Sequence, residues 1–276
     1  MADEPAENIS GGPDGGGAAV DGASAFEPGE APTRAEAVVD ELGELYWRKA
    51  YGGQDAFECL VRTILSQNTS DKASQPAHDA LLERYAGGDG ERDGRDLAAA
   101  LADAELSTLA ETISTAGLYN QKSEVIVEAA ERVIEEFGSE AAFDDYVREG
   151  APDEVRERLL SFHGVGPKTA DCVLLFSGGR GGVFPVDTHV HRIARRMGLA
   201  PPDADHEAVR EALEAAVPAE KCGFGHTAMI QFGREYCSAR KPACLNGPEA
   251  CPLYDYCERV GIDELDGTVV DPSDAD

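Results

Sequence analysis

The chain has 276 residues and is 42% hydrophobic, enough for one large domain or two small ones with real cores and too apolar to be disordered throughout. Its 53 Asp and Glu outnumber 24 Lys and Arg, giving a net charge of -29, and only six of the bases are Lys. Such a total argues against a polyanion binder on net charge alone, yet leaves room for a local basic face. No apolar run approaches the roughly eighteen residues of a spanning helix, and the start lacks the basic-then-apolar order of a signal peptide, so the expectation is a cytoplasmic monomer without membrane contact. Seven Cys are an odd number, and a reducing compartment disfavours disulfides, so clustered Cys point to metal.

The first 32 residues hold seven Gly and four Pro, and residues 1–45 carry eleven acids against Arg34 alone. Residues 1–31 therefore read as a disordered acidic tail. A helix is predicted over 34–50. Phe57, Leu60, Val61, Ile64 and Leu65 then recur at helical spacing and make one apolar stripe. Further helices are predicted at 71–85, with Pro76 delaying its start, and at 107–116. Ile126, Ala129, Ala130, Val133, Ile134 and Phe137 form a second stripe, closed by Gly138 where a left-handed cap is expected. Helices at 152–161, 167–177, 188–197, 206–217 and 226–236 follow. No stretch alternates with period two, so the fold class is all-α. Residues 258–276, with seven acids against Arg259, read as an acidic C-terminal tail.

Three segments carry chemistry. Between the helices at 152–161 and 167–177, Gly164 and Gly166 flank Val165, and Pro167 stands where a first helical residue needs no N–H. Amides and a positive dipole end at such a turn suit a phosphate. Lys168 follows directly. An amine there attacks a sugar carbon only when neutral, a form that burial or nearby positive charge favours; the bland reading is a solvated Lys touching phosphate. In PVDTHVHR, Pro185 to Arg192, Asp187 or Thr188 is placed to cap the next helix, and a carboxylate there is also suited to accepting a proton or facing a cationic sugar. His189 and His191 diverge on a helix and are not a metal pair. From Leu159 to Gly198 five bases face two acids, a local basic patch in an acidic chain.

Four Cys at 237, 244, 251 and 257 can hold a 4Fe-4S cluster or a tetrahedral zinc ion. Arg240 and Lys241 fall inside the first loop, so a metal there would stiffen a basic finger. Cys59, Cys172 and Cys222 stand apart and read as buried small hydrophobes.

GVGPKTA, PVDTHVHR, LSQNTSD at Leu65 to Asp71, LYNQK at Leu118 to Lys122 and the C-terminal Cys loop together resemble the endonuclease III group of helix-hairpin-helix DNA glycosylases, over roughly residues 34–257. The resemblance implies a bilobal all-α fold, with a six-helix domain over 53–180 and an iron-sulfur cluster domain joining 32–52 to 181–257. It implies Lys168 as nucleophile, Asp187 as essential carboxylate, and Cys237, Cys244, Cys251 and Cys257 as cluster ligands. Gly164, Val165, Gly166, Arg240 and Lys241 would hold DNA, and Gln67 and Asn68 would enter the vacated base stack. Here the middle Cys gap is six residues where the family commonly has two, and His163 replaces a common Pro. The implied activity is removal of oxidised pyrimidines from duplex DNA with strand cleavage at abasic sites, in a nucleoid-associated protein. The alternatives are a monofunctional mismatch glycosylase, whose branches usually carry Tyr or Ser at the Lys168 position, an abasic-site lyase alone, and a non-enzymatic iron-sulfur DNA-binding protein. The acidity suggests halophilic adaptation.

Overall fold

The computed structural model describes residues 31–46, 54–87 and 96–275, so nearly all of the predicted N-terminal tail lies outside the described residues. The chain divides into two compact units, whose described parts are 54–180 and 31–46 with 181–275. Among the described residues no helix is long and apolar enough to cross a membrane.

The 54–180 unit contains α2 (Ala56–Ser66), α3 (Asp71–Leu82), α4 (Leu97–Ala102), α5 (Leu106–Thr112), α6 (Tyr119–Phe137), α7 (Glu140–Glu149), α8 (Pro152–Leu160) and α9 (Pro167–Phe176). Helix α2 starts on an Asp55 cap that accepts from the amides of Phe57 and Glu58, and its predicted stripe is wholly buried. Each of those large apolar side chains contributes about 1.5–3 kcal/mol on leaving water. Arg62, buried on the same helix, donates to Ser74 (3.0 Å) and Gln75 (2.6 Å) and so ties α2 to α3. Pro76 lies within α3 and does not delay its start; it simply forgoes the bond to the carbonyl four residues back. Helix α6 begins seven residues before the stripe predicted for it, because its first two turns, YNQKSEV, are too polar to show the period. It ends on Gly138 at φ 83°, as expected.

The other unit contains α1 (Arg34–Leu45), α10 (Thr188–Met197), α11 (His206–Ala216) and α12 (Ala219–Glu235). The predicted extension of α1 over 47–50 lies outside the described residues. Helix α12 starts seven residues earlier than predicted because Gly223 and Gly225 read as breakers. At Gly225 the reason is packing: a Cβ there would stand 2.8 Å from the Phe184 ring. Lys221 of α12 is buried and pairs with Glu36 (2.6 Å) and Asp40 (2.7 Å) of α1.

The acidic C-terminal segment is folded rather than a trailing tail. Ile262–Asp263 and Thr268–Val269 form a short antiparallel ladder, the exception to the all-helical expectation among the described residues. The Val260 amide donates to the Arg196 carbonyl (2.9 Å), and Asp271 accepts from Arg195. Two residues per strand are too few for alternation to be visible in a sequence.

Candidate functional site

In the 54–180 unit the turn between α8 and α9 is built by Gly164 at φ 74°, a left-handed conformation that any side chain would strain, and a Cβ there would also lie 2.8 Å from Val125. Gly166 has an ordinary φ of -95°, and a Cβ on it would meet nothing within 4 Å. Its missing side chain leaves open space in front of the helix. No side chain caps α9, so the first-turn amides of Lys168 and Thr169 keep their donors for a ligand. The Val165 amide, expected to join them, is used within the turn by the Phe162 carbonyl (3.2 Å). The half-buried Lys168 makes no hydrogen bond or ion pair among the described residues.

The loop after α2 leans on this turn. Gln67 donates from Nε2 to the Gly164 carbonyl (3.0 Å) and to Thr169 Oγ1 (3.1 Å), while Asn68 holds a positive φ of 51°. The structure thus brings Gln67, Gly164 and the start of α9 together. His163, at the position where the family commonly has Pro, faces Glu128 (2.8 Å) on the surface.

In the other unit Asp187 caps α10. Its Oδ1 accepts from the amides of His189 (2.8 Å) and Val190 (2.8 Å), which leaves Oδ2 without a hydrogen bond among the described residues. The capping reading of this residue is therefore realised, and it uses one oxygen only. Arg192, one turn on, donates through Nε (3.1 Å) and NH2 (2.8 Å) to the Cys237 carbonyl and also reaches His189 Nδ1. Since guanidinium can only donate, Nδ1 is an acceptor and the ring is neutral; burial, chiefly, lowers the His189 pKa in the same sense.

Arg196 sits on the same face as Arg192, four residues on. It is buried and donates to the carbonyls of Ser238 (2.7 Å) and Ala239 (2.6 Å), with Cys237 Sγ at 3.6 Å. These bonds hold the turn that exposes Arg240 and Lys241. The local excess of bases is thus not a surface patch. Arg195 donates to the Pro202 carbonyl and Asp271, and Arg180 donates to Gly150 O (2.7 Å). Of these Arg, only Arg192 and Arg196 stand four residues apart on one helix, the spacing in the sequence that signals a shared face.

All four C-terminal thiols are free, and Cys237 and Cys244 are buried. The six residues between Cys244 and Cys251, longer than the family's common gap, fold into two short 3-10 turns hinged at Gly247. Burial first, then the neighbouring Cys237, Cys244 and Cys251, push the Cys257 thiol up to about 12. Thiols that disfavour one another's ionisation become ligands when a cation supplies the opposing charge. Among the described residues no group of three or more His, Cys, Asp or Glu is arranged to hold a single metal ion. The Cys257 thiol senses those of Cys237, Cys244 and Cys251, so the loop gathers four side chains whose type suits an iron-sulfur cluster or a zinc ion. Cys59, Cys172 and Cys222 are buried and remote in sequence from this group, as expected.

One unit thus carries a helix-hairpin-helix turn with an uncapped second helix and Lys168 unpaired among the described residues, and the other a capping carboxylate on the helix whose Arg192 and Arg196 hold the thiol loop. Residues 61–219 match the HhH-GPD superfamily of base excision DNA repair proteins, and residues 237–257 match the iron-sulfur binding domain of endonuclease III. The chain belongs to the HhH-GPD superfamily. Endonuclease III of Thermotoga maritima is 35% identical over 204 residues, covering 74% of this chain and 83% of that protein. Endonuclease III of Bacillus subtilis is 30% identical over 201 residues, covering 73% and 80%. A trapped endonuclease III–DNA covalent intermediate, 27% identical, matches with a TM-score of 0.63 over 80% of this chain and 92% of that one. The protein is an endonuclease III-like base-excision-repair DNA glycosylase, and its cofactor is a 4Fe-4S cluster.

Proposed function

We propose that the protein removes oxidised or ring-saturated pyrimidines from duplex DNA and cleaves the resulting abasic site through a Schiff base on Lys168. The observation that carries this reading is the half-buried Lys168 at the uncapped start of α9, unpaired among the described residues. A base inside a duplex is out of reach of such an amine, so the nucleotide must be extruded at a cost of a few kcal/mol, least where pairing is already defective. Amides at the start of α9 and the exposed Arg240 and Lys241 hold phosphates, and Gln67 and Asn68 occupy the vacated stack.

Neutral Lys168 attacks C1' of the deoxyribose, forming an N–C1' bond as the glycosidic bond breaks and the base leaves with its electron pair and a proton. Loss of the amine proton and opening of the sugar ring give the Schiff base. Removal of a C2' proton then expels the 3' phosphate by β-elimination, and water hydrolyses the imine to free Lys168. Asp187, through the oxygen that the helix cap leaves open, stabilises the positive charge developing on the sugar and assists the proton transfers. Cys237, Cys244, Cys251 and Cys257 would hold the 4Fe-4S cluster, which when bound would cross-link the loop that carries Arg240 and Lys241.

Borohydride reduction during incubation with abasic duplex tests the reading. A covalent protein–DNA adduct is expected from the wild type and not from Lys168→Ala. A wild type with intact cluster that never becomes linked overturns it.

A further inference from the structure

Lys122 is a buried base that this chemistry does not use. It lies in the first turn of α6, where the positive end of the helix dipole disfavours a cation. It is 4% exposed, and no carboxylate pairs with it among the described residues. Its Nζ donates to the Leu65 carbonyl (2.7 Å) in the last turn of α2 and to Thr69 Oγ1 (2.7 Å) in the loop beyond. The ammonium thus satisfies a helix-end carbonyl from outside the helix and holds the following loop at the same time.

That loop carries Gln67, which bonds the hairpin carbonyl of Gly164, and Asn68 at positive φ. On the α6 side Leu118 is also left-handed, at φ 59°, and a Cβ on Gly117 would stand 3.3 Å from Thr69 Oγ1. Two strained turns therefore meet at one donor. Strain of this kind persists only where the surroundings fix it. An apolar side chain of the same length would fill the site without the desolvation cost of a charge, so packing alone does not account for a Lys here. Burial lowers its pKa to about 8, which records that cost.

We propose that Lys122 is a positioning residue for nucleotide extrusion, locking the 65–69 loop to the start of α6 so that Gln67 and Asn68 meet the duplex in one arrangement. The inference rests on the proposed extrusion and Schiff-base chemistry, and its test separates the two. Single-turnover borohydride trapping is measured on two duplexes, one with the abasic site opposite adenine and one with it opposite a one-nucleotide gap, where little stacking remains to be displaced. For Lys122→Met, trapping on the paired duplex is expected to slow by about ten- to a hundredfold, the loss typical of hydrogen bonds from a charged donor. On the gapped duplex the deficit shrinks to about threefold or less, because Lys168 itself is intact. Thr69→Val, which removes only the side-chain acceptor, shifts in the same direction by less, and the double variant is non-additive.

Melting and visible cluster absorbance check folding; if Lys122→Met does not fold, Thr69→Val decides alone. Equal losses on both duplexes, or no loss on the paired one, overturn the positioning role. A wild type that traps neither duplex removes the proposed chemistry and this inference with it, a result distinct from either variant pattern.

Discussion

Asp187 has one oxygen in a helix cap and the other open, so its two duties separate by substitution. In Asp187→Ala both amide bonds at 2.8 Å are lost. Removing such a cap costs about 1–2 kcal/mol, which lowers Tm by roughly 2–8 °C in a chain of this size. Asp187→Asn keeps an acceptor oxygen at the same place and forfeits mainly the charge–dipole attraction, about 0.3–1 kcal/mol. Its Tm should therefore stay closer to the wild type than that of the Ala variant. For catalysis the order disappears: an amide can neither take a proton nor balance a cationic sugar, so both variants should lose about a hundred- to ten-thousandfold in base release. The assay is single-turnover release from a duplex carrying one oxidised pyrimidine, beside thermal melts of both variants. An Asn variant with the wild-type rate would reduce Asp187 to a cap and refute its catalytic role.

Gly164→Ala should disturb the turn twice, by about 1–2 kcal/mol for a side chain at positive φ and by the contact with Val125; weaker binding to abasic duplex in fluorescence anisotropy checks this, and Val125→Ala should relieve only the steric part. Glu140 is pushed up to about 8, by burial first and by the shared hydrogen bond with Asp55 second. The folded state thus holds a proton there that the unfolded chain gives up near pH 4.5, so this stability is complete below that value and lost as pH rises through about 8. Glu140→Gln, which keeps the acceptor for the Ala98 amide, should flatten the fall of Tm over that window; an unchanged slope would count against the assignment. If the net charge of -29 reflects a salty working medium, Tm should climb with added potassium chloride as self-repulsion is screened, and activity should survive salt that weakens most phosphate contacts. Best stability and activity in dilute buffer would contradict it.

Much was readable from local pattern. The stripes of α2 and α6 are core in the structure because five or six apolar residues at helical spacing have one way to leave water together, although Ile134 and Phe137 end half-buried at the rim. Helices α4 and α7 are not legible in local pattern: LAAALA is too short to show a period, and EAAFDDYVRE breaks its few apolar residues with four acids. The start of α12 is hidden in the sequence by Gly223 and Gly225, and at Gly225 the missing side chain allows the close approach of Phe184, a contact across 41 residues of chain. The Val165 amide looked available for phosphate because its competitor, the Phe162 carbonyl, becomes a partner only when Gly164 turns the chain back.

Residue type and spacing by themselves determined the chemistry on offer: an amine after a glycine hairpin, a carboxylate at a helix start, four thiols in one short stretch. These are properties of side chains and of the turns their neighbours allow, so they need no knowledge of distant contacts. Only the tertiary structure decided which charges remain free to act. It turned Arg195 and Arg196 inward to hold carbonyls, left Lys168 unpaired among the described residues, and set Lys122 beneath the loop that carries Gln67. Long-range burial assigns partners between groups far apart in sequence, and a polar group taken out of water must find one.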